Sequence, residues 1–388
     1  MTELSLTEEE IRRNVIDDRK GKLRQKFELD SAQGILPFTN ERLFEQSNPI
    51  LRSALFTAGK MNVKARSVYY HEWTDIFSLG SGSIQYRGPA LTVDHETVLA
   101  KIMVLARGRS LTKPVQCSQA DILRWLDLDA NSGANYTKAR RILDDLAAAE
   151  LRISSKPALQ RLLKILTSPA ISDMPDGKFF HDYVNNRFSS HLKMIAEGLE
   201  NDHRVNITME FLTNQTHNPI TKRMMLNLDP IAAIFFDGVN TTLVPYEIMD
   251  SLDRFGRKLL PFIASHRDGV YPIRLEQYHE FSGSKSEYQK VKRRVKSELK
   301  KRFEGWEQKG IIVSGWDISR NNDGEEIVRG LKIGEVVRTK SKLELPAASV
   351  VENILEGVDD DAMEERLNQF ADTFGAPHPA PRKRKSSN

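Results

Sequence analysis

The chain has 388 residues and carries 57 lysines and arginines against 53 aspartates and glutamates, which gives a formal net charge of +4 at pH 7. This length predicts two or three domains. The small net charge excludes a histone-like polycation, so the basic residues must act through clustering. Cys117 is the only cysteine, which excludes a disulfide framework or a zinc-finger cysteine pair within one chain and suits a reducing cytosol.

The two ends of the sequence differ in composition from its middle. Residues 1–45 are polar and charge-mixed, so we expect a flexible N-terminal segment. Its first residues are acidic, unlike a secretory signal, and the sequence lacks the run of about 18 apolar residues that a membrane span needs. Both features favour a cytoplasmic protein with no membrane partner. Residues 343–388 combine an acidic stretch, Asp359–Glu365, with the Pro-rich Ala376–Pro381, which predicts a disordered C-terminal tail.

The first folded region, residues 46–220, shows helix and strand periodicities in alternation. Ser118 followed by Asp121 is typical of a capping box, which marks the start of a short helix. A hairpin within residues 157–225 would complete this unit. The predicted elements are a strand at Ile84–Pro89, a helix at Thr92–Ala106 with Leu105 on its inner face, the short helix Ser118–Leu126, a helix at Tyr136–Glu150 and a strand at Leu151–Ser154.

The second folded region, residues 221–342, contains the most informative pattern of the chain, a basic amphipathic helix. The predicted order is helix, turn, basic helix and β-hairpin, which is the order of a winged helix-turn-helix. The predicted elements are a long helix at Tyr246–His266, an apolar segment at Ile273–Phe281, a turn at Ser282–Ser284, the basic helix at Ser284–Gly310, and strands at Ile311–Trp316 and Ile327–Ile333 joined by the polar turn Asn321–Gly324.

The basic helix divides into an apolar side and a cationic side. At about 100° per residue, six apolar residues share one face and predict a core contact. The apolar face consists of Tyr288, Val291, Val295, Leu299, Phe303 and Trp306. The opposite face consists of Ser286, Gln289, Lys290, Arg293, Arg294, Ser297, Lys300 and Lys301. This arrangement favours a polyanion as ligand, although a solvated basic helix without a ligand is the alternative.

The residue types on this face indicate how double-stranded DNA would be read. A helix fits the major groove with its N-terminal residues at the base edges, so Ser284 and Lys285 join the candidates. Gln289 can pair with adenine, and Lys290 or Arg293 with guanine. The hairpin adds Arg320, Asn321 and Asn322. In the first region the candidates for DNA contact are Asn135, Thr137, Lys138 and Arg141, with Arg140 interpreted as structural.

Several short sequence segments, taken in chain order, resemble those of a known family. They are Asn48–Phe56, Ile84–Gly88, Leu105–Leu111, Tyr136–Leu143, Leu228–Pro230 and Tyr271–His279. Together these segments are similar to TrfA-type plasmid replication initiators, over roughly residues 45–340 but not over either end.

This resemblance implies an α+β, helix-rich fold of two tandem winged-helix domains, with the main DNA-binding unit at 221–342 and dimerisation through 46–220. It also implies a bacterial, plasmid-encoded protein that binds repeated origin sites called iterons, opens adjacent AT-rich DNA and controls copy number. The implied partners are the host initiator, the helicase or its loader and the sliding clamp. A monomer–homodimer equilibrium is implied as well, without catalytic site, cofactor or metal.

Other motifs allow alternative interpretations. Leu55 and Phe56 resemble the apolar pentapeptides that dock into sliding clamps, but the same pair is also typical of a domain core. A winged-helix transcriptional regulator would share the DNA-binding face without opening an origin. A nicking enzyme is disfavoured because the His-hydrophobe-His motif is absent, and the nine histidines show no metal-ligand spacing.

Overall fold

The computed structural model describes residues 42–61, 68–79, 83–106, 114–154, 156, 159–160, 163, 190, 192–200, 205–218, 220, 223–229, 241–266 and 268–338. The predictions made for residues 1–41 and for the tail 343–388 lie outside these ranges. Within them the chain is a mixed fold of helices and several small sheets, which agrees with the predicted α+β class at that level.

The first unit contains most of the strands. In chain order its elements, with the two that precede it, are β1 (Leu43–Ser47), α1 (Asn48–Leu51), β2 (Phe56–Thr57), β3 (Tyr69–Ile76), β4 (Ser83–Pro89), β5 (Leu91–Thr92), α2 (Val93–Ala106), β6 (Val115–Ser118), α3 (Gln119–Trp125), α4 (Gly133–Ala147), β7 (Glu150–Ser154), β8 (Ile207–Glu210), β9 (Leu212–His217) and β10 (Arg223–Leu228). An antiparallel sheet in the order β3–β4–β7–β8 and a second sheet in the order β6–β10–β9 surround its core.

The second unit is shorter and more helical. Its elements are β11 (Thr241–Pro245), α5 (Tyr246–Asp250), α6 (Arg254–Ala264), β12 (Ile273–Arg274), α7 (Leu275–Phe281), α8 (Tyr288–Gln308), β13 (Asp317–Arg320) and β14 (Glu326–Arg329). Three strands form a sheet in the order β12–β14–β13, and β11 pairs with β1.

The two units repeat one order of elements. In the first, α2, β6, α3 and α4 are followed, after β7 and β8, by the hairpin β9–β10. In the second, α6, β12, α7 and α8 are followed directly by the hairpin β13–β14. In both sheets the short strand before the second helix pairs with the last strand of the hairpin. The shared plan therefore extends from the helices to the strand pairing.

Two unit boundaries differ from those expected from the sequence. A division at residue 220 separates β9 from β10, which are hydrogen-bonded neighbours. The expectation that residues up to 45 are flexible is wrong for 42–45, because Leu43 and Phe44 are buried in β1. Phe44 lies opposite Val244 of β11 and joins the second hydrophobic core. The sequence did not reveal a strand whose partner lies about half the chain away.

Side-chain caps explain where helices begin. The predicted capping box is confirmed at α3, where the Ser118 hydroxyl accepts from the Asp121 backbone N–H. The single helix predicted at Tyr246–His266 is wrong, since it is divided into α5 and α6. Asp253 starts α6 by accepting from the Gly256 N–H at 2.9 Å, which satisfies an otherwise unpaired donor of the first turn.

Two further expectations need correction. Leu105, assigned to the inner face of α2, is 36% exposed. The strand predicted at Ile311–Trp316 is reduced to one bridge between Ile312 and Ile333, and the hairpin begins at Asp317. Gly315 interrupts the strand with a φ of 100°, a left-handed conformation that side chains disfavour.

Charged side chains of α2 and α6 join the two units. The Arg254 guanidinium donates to the Asp94 carboxylate at 2.6 Å. Lys258 is buried, donates to the Ser53 carbonyl at 2.7 Å and lies 4.3 Å from the centre of the Phe281 ring. Burial lowers the pKa of Lys258 and raises the pKa of Glu96, while the attraction between their opposite charges counteracts both shifts. The interface therefore contains ionisable groups that depend on one another.

Removing one member of this pair should be costly. We expect Lys258→Met to lower the free energy of unfolding by about 3–5 kcal/mol, because the Glu96 carboxylate would remain buried without its countercharge. The double variant Glu96→Gln with Lys258→Met should recover most of that loss. Urea denaturation at pH 7 measures both, with the exposed Lys301→Ala as a control expected to change stability by less than about 0.5 kcal/mol. A Lys258→Met protein as stable as the control would show that the pair does not hold the units together.

Candidate nucleic-acid interface

The helix α8 presents the two faces that its sequence predicts. It carries eight lysines and arginines and three glutamates in 21 residues. Leu299, Phe303 and Trp306 are buried in the second core. The predicted outward residues are all exposed: Ser286, Gln289, Lys290, Arg293, Arg294, Ser297, Lys300 and Lys301.

Three of the eight cations form ion pairs with acids of other elements and so stabilise the fold. Lys296 donates to Glu326 of β14 at 2.8 Å, and Lys292 lies 3.9 Å from the same carboxylate. Arg302 contacts Asp253 through both terminal guanidinium nitrogens, one of them at 2.8 Å. These pairs fix the rotation of α8 about its own axis relative to the hairpin and to α6. They therefore determine which residues of α8 face solvent.

Two acids beneath α8 are held in their charged form. Hydrogen bonding from Lys296 lowers the pKa of Glu326, although burial opposes that shift. Burial would raise the pKa of Asp253, but the hydrogen bonds from Arg302 and from the Gly256 N–H outweigh it and lower that pKa. Both carboxylates therefore remain ionised at neutral pH and keep their cations away from an external ligand.

The remaining five cations form the outer face of α8. Lys290, Arg294 and Lys300 have glutamates 2.7, 3.7 and 3.9 Å away on the same helix. Such exposed pairs are weak, so a phosphate can displace them. Arg293 and Lys301 have no acidic partner among the residues that the structure describes. From Lys290 to Lys301 the cations extend over roughly 17 Å of the helix, at about 1.5 Å per residue.

The segment before α8 is a turn rather than the start of the helix. The helix was expected from Ser284, but it begins at Tyr288, so Ser284, Lys285 and Ser286 are exposed residues of the turn. The His279 ring lies 2.7 Å from the Ser286 carbonyl oxygen and can donate to it. These residues reach outward from a fixed loop ahead of the helix.

The first unit supports this turn from behind. The Ala58 N–H donates to the Ser282 carbonyl at 2.9 Å. Gly283, with a φ of 72°, lies so close to Thr57 that a Cβ would approach its Cγ2 to 2.3 Å. Only glycine fits both the backbone conformation and the space. The entry to α8 is thus positioned by Thr57, at the end of β2, and by Ala58 after it, more than two hundred positions earlier in the chain.

The hairpin β13–β14 offers fewer contacts than predicted. Arg320 and Asn322 are exposed. Asn321 was expected to touch DNA, but its side-chain oxygen accepts from the N–H groups of Asp323 and Glu325, at 3.1 and 2.8 Å. Its side-chain amide closes the turn and is therefore not available to contact a base edge.

Two of the four residues predicted to contact DNA in the first unit are largely withdrawn from solvent. Lys138 is only 14% exposed and pairs with the buried Asp94 at 2.7 Å. Arg141 is 21% exposed, with Asp145 at 3.8 Å. These two side chains turn toward the body of the protein, where the buried Asp94 and the half-buried Asp145 lie.

The remaining residues of α4 present a weakly charged surface. The Asn135 amide donates to the Asp129 carbonyl at 2.9 Å, whereas Thr137 is exposed. Arg140, interpreted as structural, is 64% exposed with Asp144 3.9 Å away. Arg140 lies about one helical turn after Thr137, and this spacing in the sequence indicates that both residues share the outward face of α4. The outward face of α4 is therefore nearly neutral, unlike that of α8.

The clamp-binding interpretation of Leu55 and Phe56 is wrong for this fold. The two residues are 3% and 0% exposed, and the Phe56 ring stacks on Phe211 with ring centres 5.9 Å apart. A docking peptide must present its apolar side chains to a partner, and these two fill the first core instead.

No helix in the described ranges is long and apolar enough to cross a membrane. Within the same part of the chain, no group of three or more His, Cys, Asp or Glu side chains is arranged to hold a metal ion.

Comparisons with known proteins find structural likenesses, among them two structures of RctB domains. No family model and no curated protein matches the chain. A crystal structure of selenomethionine derivatives of domains 2 and 3 of RctB is 11% identical, with a TM-score of 0.37, and covers 74% of this chain and 96% of that one. A second structure of RctB domains 2–3 is 12% identical, with a TM-score of 0.40, and covers 72% and 96%. These TM-scores are too low to establish a shared fold, so function is inferred from the side chains of this chain.

The ion pair beneath α8 predicts a pH-dependent stability. The pKa of Glu326 in the folded protein is below its ordinary value of 4.5, so its contribution is present above pH 4.5 and is lost as the pH falls through the lower folded pKa. We expect Glu326→Gln to lower the free energy of unfolding by roughly 1 kcal/mol at pH 7 and to remove part of the loss of stability in acid. Urea denaturation between pH 3 and 7 measures this, with the exposed Glu335→Gln as control. Parallel pH curves for wild type and Glu326→Gln would contradict it.

Proposed function

We propose that this chain is a DNA-binding replication initiator built from two tandem winged-helix units. In this proposal α8 enters the major groove of a repeated origin site, and the β13–β14 hairpin lies along the flanking backbone. The first unit contributes Thr137 and Arg140 in place of Lys138 and Arg141. The protein acts by binding and deforming DNA rather than by catalysing a reaction, and it needs no cofactor.

The observation that carries this proposal is the division of the cations of α8. Three are neutralised by acids of the fold, and five remain on one exposed face. Acids that contact only one side of α8 leave a stripe of positive charge on the other side, where no acid of another described element pairs with it. A helix and hairpin joined in this strand order are typical of winged helices, and the same order occurs in both units.

The side chains divide into base-reading and phosphate-binding groups. Gln289, Lys290 and Arg293 lie in the first two turns of α8, where a recognition helix meets base edges. Arg294, Lys300 and Lys301 lie further along and suit phosphates, which set register without reading sequence. Neutralising about six phosphates gives a log–log salt slope near −5.

Origin opening, copy control and recruitment of a host initiator, helicase or loader complete the proposed role. A plasmid origin is the proposed site of action, in a bacterial cytoplasm, and a monomer–homodimer equilibrium would regulate the active form. Contact with a sliding clamp would require residues other than Leu55 and Phe56, because both are buried.

Footprinting tests this role directly. The full-length protein is bound to the origin region of the replicon that encodes it and probed with a nuclease and with permanganate, which reacts with unpaired thymines. We expect protection repeated at multiples of the helical repeat, about 10 base pairs, together with reactive thymines in a neighbouring AT-rich stretch. Protection of a single promoter palindrome without reactive thymines would instead support a transcriptional regulator, and no protection would overturn DNA binding.

Two substitutions on α8 should distinguish a residue that reads the base sequence from a residue that binds a phosphate. We expect Arg293→Ala to cost about 1–3 kcal/mol on the cognate site and to relax preference at one base position. Lys300→Ala should weaken all sequences alike and reduce the salt slope by about 1. Competition binding over single-base site variants and a salt series measures both effects.

Lys309→Ala is the matched control for these two variants. It removes the same charge from the end of α8, roughly 24 Å along the helix axis from Arg293. Equal losses from Arg293→Ala, Lys300→Ala and Lys309→Ala would show that binding follows total charge and not the proposed face.

A further inference from the structure

The hairpin of the first unit ends in an exposed apolar side chain. Ile220, between β9 and β10, is 90% exposed, the highest value for any large apolar residue in the described ranges. The Asn218 N–H donates to the Arg223 carbonyl at 2.9 Å, and the Ile220 N–H donates to the Asn218 side chain at 2.9 Å. These bonds close the hairpin and hold the backbone of Ile220 at its tip.

The corresponding hairpin of the second unit has a polar tip. Its turn is built from Asn321, Asp323 and Gly324, and Asn321 closes it with its own side chain. Both hairpins are thus closed by an asparagine that accepts from a backbone N–H two residues later. The described turn residues differ in the side chains that they expose, which are an isoleucine in the first unit and polar or acidic groups in the second.

The apolar tip belongs to a hairpin that packs beside α4. Gln215 of β9 donates to Asp144 of α4 at 2.8 Å. Arg140, His217 and Met224 line a groove of about 230 Å³ between the helix and the hairpin. Arg223, at the start of the return strand, is exposed and places a cation next to the tip. Among the described residues, the arrangement combines a nearly neutral helix with an exposed isoleucine and an adjacent cation, Arg223.

We propose that Ile220 is a wedge that enters the minor groove of duplex DNA and partly unstacks one base-pair step. Isolated exposed apolar residues are common on protein surfaces, but this one occupies a closed hairpin tip beside a cation that can contact a phosphate. Apolar side chains inserted between base steps are a known means of kinking DNA from the minor groove. The proposal rests on the proposed function and assigns the two units different tasks: the second holds and reads the site, and the first deforms it.

The energetics predict an effect on DNA shape more than on affinity. Burying an isoleucine side chain stabilises the complex, while unstacking one base-pair step costs a similar amount of free energy. The two terms nearly cancel, so removing the wedge should change the dissociation constant by less than about tenfold. Flexible pyrimidine–purine steps such as TA cost least to unstack and are the expected point of entry.

The test uses the full chain and duplexes of the footprinted origin site with 2-aminopurine at successive adenines, because 2-aminopurine becomes brighter when unstacked. We expect the wild-type protein to raise the fluorescence several-fold at one position, and Ile220→Ala to abolish that rise while keeping the footprint. Ile220→Leu should retain the rise. Met225→Ala, on the neighbouring strand β10 with 38% exposure, is the matched control and should behave as wild type.

Each outcome bears on one proposal. A footprint with equal fluorescence for wild type and Ile220→Ala overturns the wedge and leaves the proposed function intact. A rise that Met225→Ala also abolishes overturns the assignment to Ile220. The absence of any footprint for the wild-type protein overturns the proposed function and the wedge with it.

Discussion

The acids of α2 and the bases of α6 set how the two described units dock on each other. Asp94 faces Arg254, and Glu96 shares a buried interface with Lys258. Because charges taken out of water need close partners, these contacts permit one docking of the two units and oppose others. The orientation of α8 depends on that docking, since the turn before it rests on residues of the first unit. A surface that would contact DNA is therefore determined by contacts remote from it.

The two units use one plan with opposite distributions of charge. In the second, acids lie beneath α8 and leave cations outside. In the first, the acid Asp94 draws Lys138 inward and leaves α4 nearly neutral. A repeated order of helices and strands thus supports two different surfaces. This difference makes a division of work between holding and deforming DNA physically reasonable, because phosphate contact needs charge and unstacking needs an apolar group.

Local patterns in the sequence were informative, whereas long-range pairs were not. The faces of α8 follow from its own periodicity, and the cap of α3 follows from Ser118 and Asp121. Lys138 was misplaced because its partner acid is on another helix, 44 residues earlier, with no local sign of their contact. The end of α5 was missed although Asp253 is a typical capping residue, because the apolar spacing continued across it. The unit plan could be predicted, but the docking of the units could not.

The pairing of β1 with β11 has a consequence for how the chain is made. Glu45 and Thr241 are hydrogen-bonded although 196 residues separate them. At a synthesis rate of about 5–20 residues per second, β1 leaves the ribosome on the order of 10–40 s before its partner exists. During that interval the first unit can complete its core, which ends at Leu228, while Leu43 and Phe44 remain unpaired. The first strand in the described part of the chain is therefore one of the last to reach its place, and until then it exposes apolar side chains of the kind that chaperones bind.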